Sequence, residues 1–164
     1  IINNNLNLLN LQDCYGNTPL LIALEEFKYK SFEAILNFKD NIDFKLKDDG
    51  GCSPLHLAIL WGNNSINILK KLLDIPQALE LINIPDNQNK TPIIWAAENY
   101  NHDVMRKLLS CKGIDVSIKD NNYCTPFDIL NKKNDYGDPS LIDKHIVDYD
   151  IILKLMNCNI NQKL

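Results

Sequence analysis

The residues able to do chemistry are three histidines, five cysteines and twenty-one carboxylates in a chain of 164 residues. The cysteines, Cys14, Cys52, Cys111, Cys124 and Cys158, are odd in number and never fall in a Cys-x-x-Cys spacing. Neither a disulfide framework nor a zinc site is expected of them, and reduced thiols in a cytosolic compartment are the simpler reading. An acid–base pair needs two carboxylates held a few ångströms apart in a cleft, and no local spacing here singles out such a pair. Asp135 and Asp138 flank Gly137 as in a fragment of a calcium loop, but the further ligands and the terminal glutamate are missing. Gly-x-Ser-x-Gly, the P-loop and Gly-x-Gly-x-x-Gly are absent. The expectation is therefore a chain with no catalytic residues, no cofactor and no metal, and not an enzyme.

Four of the aspartates have a different message, because they keep step with a repeat. A small polar residue, a proline and an apolar run recur at Thr18-Pro19-Leu20-Leu21-Ile22-Ala23, Ser53-Pro54-Leu55-His56-Leu57-Ala58, Thr91-Pro92-Ile93-Ile94-Trp95-Ala96 and Thr125-Pro126-Phe127-Asp128-Ile129-Leu130. The prolines are 35, 38 and 34 residues apart, and Asp13, Asp48, Asp86 and Asp120 each stand six residues ahead of one. Ser or Thr accepts a backbone N–H at a helix N-terminus, and proline suits the first helical position, where its missing N–H costs nothing. The apolar residues that follow bury one helical face. A second amphipathic segment comes next, such as Ile66 to Leu73 or Val104 to Leu109, and apolar pairs close it at Ile35-Leu36, Leu72-Leu73 and Leu108-Leu109. One helix pair cannot bury its apolar faces alone, so the units must stack into a continuous core.

In this pattern the chain resembles the ankyrin repeat, whose motif is close to Asp-x-x-Gly-x-Thr-Pro-Leu-His over about 33 residues. The second copy matches best, Asp48 through Ala58, with Gly62 opening the turn between helices. The first matches with Asp13, Gly16 and Thr18-Pro19-Leu20. Asn89 and Tyr123 stand where the third and fourth copies should have the turn glycine. Tyrosine is costly in a left-handed conformation, so the fourth finger is expected to be locally altered. Ile75 to Glu80 lengthens the link after the second repeat, and Asn134 to His145 reads as an insertion before a last helix at about 148–157. Residues 1–7 read as the tail of a truncated repeat.

The resemblance implies an all-α solenoid of stacked antiparallel helix pairs with short hairpin-like fingers. It implies one domain over residues 1–164, with repeats at about 12–46, 47–84, 85–118 and 119–157. It also gives several polar residues structural roles. His56 would brace its repeat, His102 would serve the turn into a second helix, and the four phased aspartates would support turns and caps. Trp95 takes the place of a core leucine. The surplus of asparagine, 23 residues, reads as coding bias rather than function.

Partners of such a fold are expected on the concave surface formed by the finger tips and the exposed face of each first helix. The matching positions, chosen as partner-binding residues, are Tyr15, Asn17, Glu25, Glu26, Leu60, Trp61, Gln88, Lys90, Lys132 and Lys133. Leu60 and Trp61 are apolar where the pattern expects solvent, so with Tyr15 they are the expected anchors; the competing reading packs Trp61 over the next repeat. The run from Glu25 and Glu26 to Lys132 and Lys133 would orient a partner by charge.

Net charge is −4 and the sequence pI about 5.3, which gives no support for nucleic-acid binding. No apolar run approaches the ~20 residues of a membrane helix. The function expected is a protein–protein interaction module, monomeric and cytoplasmic, or in the host-cell cytosol if a delivered effector, that binds a protein or peptide without catalysis. The alternative is a targeting arm excised from a larger enzyme, such as a multidomain signalling protein or a secreted bacterial effector.

Overall fold

The computed structural model describes residues 6–134 together with Ile151, Lys154 and Leu155. Beyond Asn134, the expected insertion, His145 and Cys158 lie outside the described residues. Of the expected last helix, Ile151, Lys154 and Leu155 are helical, and Ile151 and Leu155 are buried.

Within residues 6–134 eight α-helices follow one another: α1 (Pro19–Glu25), α2 (Tyr29–Leu36), α3 (Pro54–Ile59), α4 (Ser65–Leu73), α5 (Pro76–Leu79), α6 (Pro92–Glu98), α7 (His102–Leu109) and α8 (Pro126–Asn134). No strand occurs among the described residues. The prolines of the recurring motif begin α1, α3, α6 and α8, as the capping argument requires. The caps themselves differ. Thr18 Oγ1 accepts the Leu21 N–H at 3.3 Å. In α3, Ser53 bonds through both its hydroxyl and its backbone N–H to His56 Nδ1. In α8, Asp128 occupies the position of His56 and accepts from both the N–H and the hydroxyl of Thr125.

The inner helices α1, α3, α6 and α8 pack in sequence, and the first three carry an outer partner, α2 on α1, α4 on α3 and α7 on α6. In the outer layer α4 packs on α7, and Lys71 of α4 pairs with Glu33 of α2 at 2.7 Å. Leu20, Leu24, Leu55, Ile59, Leu69, Leu72, Ile93 and Leu108 are all but sealed in one continuous core. Burying each such side chain is worth about 1.5–3 kcal/mol. The lengthened link after the second repeat folds as α5, which buries Ala78 between Ile75 and Leu81.

Ahead of each inner helix the chain makes a tight finger. Asp13, Asp48, Asp86 and Asp120 donate their N–H to the carbonyls of Asn17, Cys52, Lys90 and Cys124. The fourth residue of each finger is left-handed: Gly16 and Gly51 at φ +77°, Asn89 at +59° and Tyr123 at +60°. The expected alteration of the fourth finger is therefore corrected. Asp120 keeps both of its finger bonds, and Tyr123 takes up the strain in its own backbone.

Neighbouring fingers are bonded in one register. The N–H of the residue after the aspartate donates to the carbonyl two residues after the preceding aspartate: Asp49 to Tyr15, Asn87 to Gly50 and Asn121 to Gln88, at 2.9, 3.0 and 3.0 Å. This ladder and the inner helices fix the concave face.

Candidate partner-binding surface

Each finger is held by its aspartate. Asp13 Oδ1 accepts the N–H groups of Tyr15 and Asn17, Asp48 that of Cys52, Asp86 those of Gln88 and Lys90, and Asp120 those of Asn122 and Cys124. Turn-bracing is thus what these side chains do. Asp86 has a second role, since Oδ2 accepts Trp95 Nε1–H at 2.9 Å. Trp95 is accordingly half-buried with its polar edge turned to the finger, where a leucine would have been sealed in the core.

His56 is fully buried. Its Nδ1 accepts the Ser53 N–H at 3.2 Å, so Nε2 carries the proton and donates to the Lys90 carbonyl at 2.9 Å. The ring therefore ties the second repeat to the third finger. Burial pushes its pKa below the ordinary value, partly opposed by the bond to Lys90 and the charge of Asp86. A sealed, neutral and fully bonded imidazole is a brace with no face open to a substrate.

Between the first two fingers and α1 lies an open cleft of about 680 Å³ lined by Asp13, Tyr15, Asn17, Ile22, Glu25, Glu26, Asp48, Asp49 and Gly50. It brings together four of the sequence-chosen residues, Tyr15, Asn17, Glu25 and Glu26. Tyr15 is 67% exposed, and five carboxylates surround it with no cation in the lining. Leu60, the residue that follows α3, stands six residues after Pro54 as Glu25 does after Pro19, and is 39% exposed.

The other choices fare differently. Trp61 is not an exposed anchor: it is 8% exposed, donates Nε1–H to the Leu24 carbonyl at 2.8 Å, and sits among Phe27, Tyr29 and Phe32. It packs against the preceding repeat, the opposite direction from the competing expectation. Its indole satisfies a carbonyl at the end of α1. Lys90 is already engaged within the chain, its Nζ pairing with both carboxylate oxygens of Glu98, at 2.8 and 3.0 Å. Gln88 is exposed on the third finger. Lys132 and Lys133 lie in the last turns of α8, and their side chains are outside the description.

Sequence reasoning missed the amides that join the repeats. Asn10 donates to the Asn41 carbonyl and accepts the Asp43 N–H, and Asn83 does the same with Gly113 and Asp115. Asn87 donates to the Asp49 carbonyl, Asn89 to that of Lys119, and Asn101 to Ser65 Oγ. Part of the asparagine surplus is therefore structural. The available signal was the phase: Asn10 and Asn83 both stand three residues ahead of the finger aspartate.

None of the described cysteines forms a disulfide. Cys52 is buried, and desolvation with the nearby Asp48 pushes its thiol up to about 12, so it is a poor nucleophile. A second open cleft, of about 690 Å³, lies at the turns into α4 and α7 and is lined by polar residues including Asn101, His102 and Arg106. Among the described residues no helix is long and apolar enough to cross a membrane.

Stacked helix pairs, braced fingers and a concave cleft define a repeat protein of the ankyrin class. The family model "Ankyrin repeats (3 copies)" matches residues 28–120, more than half of the chain, and the chain belongs to that family. The chain is also 36% identical over 102 residues to human transient receptor potential cation channel subfamily A member 1, a match covering 62% of this chain and 9% of that protein. Ankyrin repeats are generally protein–protein interaction modules and typically non-catalytic.

Proposed function

We propose that this chain is a single-domain, non-catalytic interaction module that binds a Lys- or Arg-bearing protein segment in the cleft between its first two fingers. The observation that carries the reading is the composition of that cleft: Glu25, Glu26 and Asp49 ring the exposed Tyr15 with no basic residue among them. Glu98, the third-repeat counterpart of Glu25, is neutralised by Lys90, so the unpaired charge is concentrated at one end of the groove. A basic side chain entering there would gain charge-assisted bonds, and its alkyl stem would lie along Tyr15 and Ile22. Leu60 extends this surface along the groove. A recruiting arm of a larger protein is the second reading, favoured by the match to a small part of a much longer relative.

Selection from a random peptide display library tests the proposal. Retained sequences should be enriched in Lys and Arg, bind more weakly as salt rises, and be lost from a Glu25→Lys/Glu26→Lys variant that keeps its helical circular dichroism. Retained peptides without basic enrichment, or binding equally to the double variant, would place the site elsewhere.

A further inference from the structure

The outer layer of helices has a gap. α4 packs directly on α7, whereas α2 and α4 meet far less closely. The space between them is edged by aromatic rings: Trp61 stands 5.7, 6.3 and 6.3 Å, centroid to centroid, from Phe27, Tyr29 and Phe32. An open groove of about 470 Å³ runs beside this cluster, with the buried Trp61 and Ile68 at its floor and Tyr29, Asn67, Lys70 and Lys71 around them.

Two features set the groove apart from a packing fault. The first is strain. Phe27 is left-handed at φ +57°, yet its side chain is 54% exposed. The corresponding residue of the second repeat, eight residues after the motif proline, is Gly62 at φ +55°. Glycine adopts this backbone freely and phenylalanine does not. A bulky residue held in a strained conformation points to function, and here the strain keeps an open ring against Trp61. Tyr29, 46% exposed, adds a second ring.

The second feature is charge. No carboxylate lines the groove, and its ionic groups are Lys70 and Lys71. Lys71 is matched by Glu33, whose carboxyl the Lys71 ammonium and the Tyr29 hydroxyl hold below its ordinary pKa. That bonding also holds the Tyr29 ring at the groove's edge. Lys70 is exposed and forms no ion pair among the described residues. On a chain of net charge −4 this is a cationic, aromatic surface, opposite in sign to the cleft at the first two fingers.

We propose that the groove between α2 and α4 is a second docking surface, and that it takes an acidic protein segment presenting a large apolar side chain. The apolar group would lie on Tyr29 and Trp61 beside Phe27. A neighbouring carboxylate would pair with Lys70 and accept from the Asn67 amide. An apolar anchor inside a polar rim is how interfaces concentrate binding energy. Nucleic acid is not the occupant, because one unmatched lysine cannot follow a phosphate backbone and the acidic chain repels it. A free small molecule fits poorly, because an open groove covers too little of its surface.

Random peptide display on a Glu25→Gln/Glu26→Gln variant tests the groove with the acidic cleft silenced. Retained peptides should combine Asp or Glu with Leu, Phe or Trp and bind more weakly as salt rises. Added to the isotope-labelled full chain, such a peptide should move the indole N–H signal of Trp61 and leave that of Trp95, which donates to Asp86 in the third finger. Lys70→Glu and Phe27→Asn should each weaken binding by about tenfold or more. Both positions are exposed, and asparagine tolerates the left-handed backbone, so helical circular dichroism should be kept. Lys70→Glu serves alone if Phe27→Asn unfolds the first repeat. The proposal is overturned if no peptide is retained, if retained peptides lack acidic residues, or if they bind Lys70→Glu as tightly as the parent. It is equally overturned if the chain alone self-associates at micromolar concentration with a shift of the Trp61 signal, since the occupant is then a second copy.

Discussion

Tyr123 and His56 each hold a position whose cost can be isolated. A left-handed backbone costs a non-glycine residue about 1–2 kcal/mol, and Tyr123 at φ +60° has almost no packing to offset it. Tyr123→Gly removes that strain while adding unfolded-state entropy of about 0.5–1 kcal/mol. The net expectation is a gain of up to about 1 kcal/mol by urea denaturation, and a loss would show that the ring is held by contacts of its own. His56 acts through its proton. Its folded pKa is depressed below 6.5, so the unfolded state binds more protons as pH falls. The associated stability is present above about pH 6.5 and is lost as pH drops through the folded value. His56→Gln should flatten the stability profile between pH 7 and 5 while lowering stability at pH 7, because Ser53 and the Lys90 carbonyl lose their bonded ring. An unchanged profile would assign the acid sensitivity to the carboxylates. Cysteine reactivity divides by burial: Cys14 should react with a maleimide at the rate of an open thiol, and Cys52 only as fast as the protein unfolds.

Among the elements, those read from the sequence are those a repeat writes four times. The Thr/Ser-Pro starts of α1, α3, α6 and α8, the second helices and the phased aspartates were legible because each has a local cause: a cap, an apolar face or a turn acceptor. The acidic end of the groove was legible in part, since Tyr15, Asn17, Glu25 and Glu26 fall at free positions of the pattern. Trp61 was not. Its counterparts Glu26 and Asn99 are exposed, and only three-dimensional contact brings Phe27, Tyr29 and the Leu24 carbonyl around its ring. Lys90 was missed for the same kind of reason, because Glu98 lies one helix further along the chain. Trp61 and its aromatic neighbours bridge the turn of the first repeat to the second, so its removal should act on stability before it acts on binding. Trp61→Phe deletes the Nε1–H bond and should cost about 1 kcal/mol. Trp61→Ala also empties the aromatic cluster and should cost about 3–5 kcal/mol. No cost for Trp61→Phe in urea melts would mean that the indole bond contributes nothing, and equal costs for the two variants would mean that the ring's packing adds nothing beyond that bond.

For the molecule as a whole, stability is a sum of units and the interfaces between them, and here the terms are unequal along the stack. α2 buries Phe32 alone, whereas α4 buries Ile68, Leu69, Leu72 and Leu73 and is packed by α3, α5 and α7. Bonds from His56 Nε2, Lys47 Nζ and the side chains of Asn83, Asn87 and Asn101 join the second repeat to the third, beside the finger bond from Asn87 N–H. Among the described residues the second and third repeats are therefore the stable centre, and of their outer helices and that of the first repeat, α2 is the one expected to open most easily. Native-state hydrogen exchange should find the amides of α4 and α7 opening only with global unfolding. Those of α2 should open by a sub-global event at least about 2 kcal/mol lower, roughly what a helix secured by one aromatic side chain can supply. Phe32→Ala sharpens the test. It should shift exchange in α2 strongly and in α7 little, because α7 packs on α4 and α6 and not on α2. Equal shifts in α2 and α7 would show that the stack unfolds as one unit, and the α2 end would then be too rigid to adjust when a partner enters the neighbouring acidic cleft.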